Sequence, residues 1–97
     1  MHSTSKSSGD LGVSAASIKD GKAVLTGVSL TCDGTTDSTV TIFDNASAAS
    51  GTLVYNIRLD ASVDGVHRFD CLPDVYCKNG MFVTVTGTSA VAIVYYK

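Results

Sequence analysis

Apolar residues recur at every second position through most of the chain, in short runs cut by turns rich in Asp, Asn, Ser and Gly. A period of two marks a strand with one buried face. The clearest run is Thr52–Asp60, with Leu53, Tyr55, Ile57 and Leu59 on one face and Val54, Asn56, Arg58 and Asp60 on the other. A slip of one residue would bury Arg58 and Asp60, so the pattern predicts that the Leu53–Leu59 face is the buried one. In Ala23–Cys32 the even positions Val24, Thr26, Val28, Leu30 and Cys32 are expected inward. Ser38–Phe43 is expected to bury Val40 and Ile42, and Val66–Cys71 to bury Phe69 and Cys71. A weaker run, Leu11–Ile18, comes first, and a hairpin of Met81–Val85 and Val91–Tyr96 around Thr86-Gly87-Thr88-Ser89 comes last. Leu72–Gly80, which contains Pro73, reads as irregular. Strands spaced about 8–12 residues apart predict an all-β fold, a compact single-domain β-sandwich or jelly-roll-like barrel of about seven to eight short antiparallel strands.

Composition sharpens that expectation. Val, Ile and Thr number 12, 4 and 11, while Glu and Gln are absent. β-branched side chains suit a pleated sheet, and the residues that usually carry surface helices are missing. Residues Met1–Asp10 hold no apolar side chain after Met1, so residues 1–10 are expected to be a flexible arm and residues 11–97 the single β domain. The arm lacks the apolar stretch of a signal peptide. A net charge of −2, with basic residues scattered, gives no footprint for nucleic acid or an anionic membrane.

Chemistry has few footholds. Cys32, Cys71 and Cys77 are an odd count, compatible with unpaired thiols or with one Cys71–Cys77 bridge across the Pro73 loop. His67 with these cysteines lacks the tight spacing of a structural zinc site. The pairs Asp33 with Asp37, and Asp60 with Asp64, flank turns, where aspartate ordinarily accepts local backbone N–H groups rather than calcium. Asn45-Ala46-Ser47 matches a glycosylation sequon, a frequent chance pattern. Asp60 and Asp70 are the only acids that suggest an acid–base pair, and no nucleophile, zinc or phosphate-loop motif accompanies them. No enzyme activity, metal or cofactor is expected. Tyr95 and Tyr96 are adjacent, so on a regular strand one must point outward. With Ser3, Thr4 and Lys6 of the arm they form the candidate interface.

The segment Gly27–Thr52, GVSLTCDGTTDSTVTIFDNASAASGT, resembles part of the small virion proteins of tailed bacteriophages. So do Gly80–Thr88 and Val91–Tyr96, a Thr-rich hairpin ending in tyrosines. The Cys71–Cys77 loop and the Ser-rich arm depart from the simpler members. The resemblance implies a non-enzymatic capsid decoration (cement) protein, made in the host cytoplasm and carried on the virion head exterior. Its implied partners are the major capsid protein and further copies of itself, with a trimer favoured. The alternatives are a tail, neck or fibre β-module contacting another tail protein or a host glycan, and a carbohydrate-binding module. Against the last stands the absence of Trp.

Overall fold

The computed structural model describes residues 6–34, 36–62, 64–87 and 90–97, apart from the side chains of Asp33, Asp64, Leu72 and Pro73. The expected interface residues Ser3 and Thr4 lie outside the described residues, as does part of the final hairpin turn.

Eight strands follow one another: β1 (Lys6–Ser7), β2 (Ser14–Asp20), β3 (Ala23–Asp33), β4 (Ser38–Asp44), β5 (Thr52–Leu59), β6 (Asp64–Cys77), β7 (Gly80–Thr86) and β8 (Val91–Tyr96). They form two four-stranded antiparallel sheets, ordered β1-β8-β3-β6 and β2-β7-β4-β5. First pairs with last, second with seventh, third with sixth and fourth with fifth. That nesting is one long hairpin of strand pairs rolled up, and rolling brings β8 beside β3 and β7 beside β4. The topology is a jelly roll. An extent of 20 Å along the shortest axis matches two packed sheets.

The interior is aliphatic. Leu25, Leu30, Val28, Val40, Ile42, Met81, Val83 and Val94 are each no more than 1% exposed, and Cys32 and Cys77 fill the gaps between them. Val40 and Ile42 face inward as their alternation predicts, and so does Cys71, with Phe69 half-buried against the core.

Bulges on β3 and β5 overturn other parts of the alternation, and a third lies on β2. On β3, Leu25 and Gly27 face consecutive β8 residues, Tyr96 and Tyr95, so Thr26 is an extra residue. Facing flips there: Ala23 and Leu25 are buried before it, and Val28, Leu30 and Cys32 after it. The expectation that Val24 and Thr26 face inward is therefore wrong, because both are only half-buried. On β5, Tyr55 and Leu53 face consecutive residues Ile42 and Phe43, which makes Val54 the extra residue. Val54 packs against the core, Ile57 and Leu59 are buried, and Leu53 is 52% exposed. Leu53 thus leaves the face on which its periodicity put it, whereas Tyr55, opposite buried Ile42, stays on it and is half-buried against the core. On β2 the extra residue is Ile18, between Ser17 opposite Phe82 and Lys19 opposite Met81.

The stretch expected to be irregular is instead the second half of β6, which runs on to Cys77. Its pairing with β3 jumps from Asp70 opposite Gly27 to Val75 opposite Leu25, so residues 71–74 bulge from the ladder. Pro73 falls within this bulge, on a strand at the sheet edge, where its missing N–H costs no ladder bond.

Asp44, at the end of β4, ties the sheets together. Its carboxylate accepts the backbone N–H groups of Asn79 at 2.7 Å, Lys78 at 3.2 Å and Gly80 at 3.3 Å, holding the turn that carries the chain from β6 to β7. Those N–H groups, Asn79's above all, hold its pKa below the ordinary 3.8. A carboxyl whose pKa is lowered by folding stabilises the fold above its unfolded value and loses that effect as pH falls through the folded one. Asp44→Asn is therefore expected to melt below the wild type at pH 7. The gap should close between about pH 5 and pH 2. Melting curves recorded across that range check it, and parallel curves for the two proteins would count against the role.

Candidate docking face on the β1-β8-β3-β6 sheet

Past the β3 bulge, Gly27, Ser29 and Thr31 alternate with buried Val28 and Leu30, so they point to the outer side of their sheet. Their partners share that side: Tyr95, Ile93 and Val91 on β8, and Asp70, Arg68 and Val66 on β6. The face therefore has a centre of small residues between two flanks of larger ones.

Gly27 shapes the middle of it. A Cβ at this position would lie 3.1 Å from the Phe69 carbonyl oxygen and 3.3 Å from Asp70 Oδ1. The bare glycine leaves Asp70 room beside it and leaves β3 without a side chain between β6 and β8. Across that gap the Arg68 guanidinium carbon sits 4.9 Å from the centre of the Tyr95 ring. Arg68 Nε also donates to Asp70 Oδ1 at 3.3 Å. An exposed cation over an aromatic face contributes about 0.5–1 kcal/mol. The pair also holds both long side chains in one place, which lowers the ordering cost when another surface lands on them.

The two tyrosines part as period two demands. Tyr95 points outward opposite Gly27, whereas Tyr96 lies opposite buried Leu25 and packs against the core. Lys6 pairs with Tyr96 and Ser7 with Tyr95, so the start of the described chain lies along β8. Ser8 and Leu11 extend this attachment through backbone bonds to Val94 and Ala92. Of the five expected interface residues the structure thus gathers Lys6, Tyr95 and Tyr96 at the β1–β8 seam. Arg68, Gly27 and Asp70 are additions. Only the outward alternation of Val66, Arg68 and Asp70 hinted at them, since their approach to Tyr95 depends on β3 lying between β6 and β8.

The other candidates resolve into structural roles. All three cysteines are free and buried. Burial pushes the Cys77 thiol up to about 11, and burial also raises that of Cys71. Among the described residues no three His, Cys, Asp or Glu side chains gather as metal ligands. Asp37 binds across the fold rather than within its own turn, pairing with Arg58 and accepting the Ala61 N–H at 2.7 Å. Asp60 follows β5 in one sheet while Asp70 lies on β6 in the other, with its carboxylate on Arg68. Asn45 closes its own loop, its Oδ1 accepting from Ser47 and Ala48. The opposite sheet turns out Thr39, Thr41, Thr84 and Thr86, and three of these hydroxyls bond sideways, Thr39 with Thr86 and Thr41 with Asn56.

The architecture is thus a jelly roll with one outer face carrying a preset arginine–tyrosine pair. The chain matches no protein-family model, no curated protein and no solved structure.

Proposed function

We propose that this protein is a non-enzymatic virion structural protein, a capsid decoration protein that strengthens a phage head by docking on the major capsid protein. The observation that carries the reading is the Tyr95–Arg68 pair over Gly27, on a sheet face flanked by Val66, Val91 and Ile93. Tyrosine and arginine are the residues that most often anchor protein interfaces. The resemblance of Gly27–Thr52 and the closing hairpin to small phage virion proteins supplies the class of partner. Many copies on a repeating shell turn modest single contacts into firm attachment.

The test is made on purified virions of the phage that encodes the chain. Quantitative mass spectrometry is expected to find on the order of hundreds of copies per particle, as multivalent decoration requires. Only a handful would move the protein to the tail, neck or fibre. Rebinding to stripped particles should fall about tenfold or more for Tyr95→Ala, the size of a hot-spot loss. Unchanged rebinding would rule out this face as the contact.

A further inference from the structure

We infer that two copies of this chain pair through the open edge of β6, antiparallel about a two-fold axis at Val66. The inference stands on β6 alone and holds wherever the protein works.

Each of the four outer strands has one side without a ladder partner, and three carry a device that blunts such edges. β1 is two residues long, and β2 and β5 are kinked by the bulges at Ile18 and Val54. β6 is different. From Asp64 to Asp70 it pairs with β3 residue for residue, without a bulge, and nothing pairs with its other side among the described residues. That stretch contains neither lysine nor proline. Val66, at 66% exposure, is the most exposed large apolar side chain among the described residues. An open, partly apolar edge that pairs with β3 residue for residue is a template for another strand.

The charge pattern says which strand fits. Two copies paired about an axis normal to the sheet can take only registers in which facing residues have numbers summing to an even value. An axis at Arg68 sets arginine against arginine. One at His67 sets Asp64 against Asp70 twice, and like charges directly opposite destabilise a pair. Axes at Gly65 or Phe69 leave only a short run, cut off by the turn before β6 or by the bulge at residues 71–74. An axis at Val66 pairs residues 64–68 of both copies, sets valine against valine, and puts Arg68 opposite position 64, an aspartate in the sequence. It is the longest register free of like-charge opposition, and it joins two four-stranded sheets into one of eight.

Sedimentation of the purified chain tests this. The wild type is expected to dimerise reversibly with concentration, and Val66→Lys to raise the dimer dissociation constant at least about tenfold, because two lysines then face each other on the axis. Val66 is exposed, so the far-UV spectrum of the variant should be unchanged. In a second arm, Val66→Cys should be captured as a disulfide-linked dimer by mild oxidation, since facing Cβ atoms in such pairs lie about 4.5–5.5 Å apart. Leu53→Cys, comparably exposed on β5, should not be captured at the same concentration. A monomer at every concentration, a trimer, a dimer indifferent to Val66→Lys, or equal capture of both cysteine variants would each overturn the inference.

Discussion

Gly80→Ala is expected to remove a large part of the stability of this domain. Gly80 opens β7 with φ at +151°, and a Cβ there would stand 2.5 Å from the Lys19 carbonyl oxygen and 2.9 Å from the Ala46 Cα. Both obstacles are backbone, so neither can swing aside. Lys19 follows the β2 bulge, and Ala46 is held in place by the hydrogen bond its carbonyl accepts from Ser17 at 2.7 Å. Backbone strain of about 1–3 kcal/mol adds to an overpacking cost of similar size. Domains of this kind hold about 5–15 kcal/mol in all. Gly21→Ala is the control: its φ is +99°, but nothing lies within 4 Å of the added atom. Denaturant melts should separate the two variants clearly. If they melt together, the close approach at Gly80 has no energetic weight.

The second large effect distinguishes the bulged from the straight form of β5. Leu30→Ala empties a fully buried position and should cost about 2–5 kcal/mol. In a chain of this size that lowers the melting temperature by roughly 10 °C or more. Leu59→Ala, at 8% exposure, should approach the same cost. Leu53→Ala should stay within about 0.5 kcal/mol, as surface substitutions do. Simple alternation makes Leu53 and Leu59 equals, whereas the extra residue at Val54 makes them opposites. Equal losses for the two leucines would mean that β5 runs straight in solution.

The docking face was legible only in part. Period two at the C-terminus is enough to send one of Tyr95 and Tyr96 outward, but it does not say which. That was decided by Leu25, buried opposite Tyr96, and by the extra residue Thr26 beside it. Arg68 reads in the sequence as one charge on an alternating strand. It meets Tyr95 because β3 separates their strands and presents Gly27 between them, a juxtaposition of residues 27 apart along the chain.

By itself the sequence determined the all-β class, most strand positions and the inward facing of Val40, Ile42, Ile57 and Leu59. Each of these follows from local terms: β-branched content, turn residues and alternation on one strand. The nesting of first strand with last, the Thr26 and Val54 bulges and the continuation of β6 to Cys77 were decided only by the tertiary structure. A bulge is a mismatch in residue count between two paired strands, so it does not exist in either strand alone. The pairing order likewise reflects which apolar faces can close on one another across the whole chain, a competition among contacts distant in sequence that no local window contains.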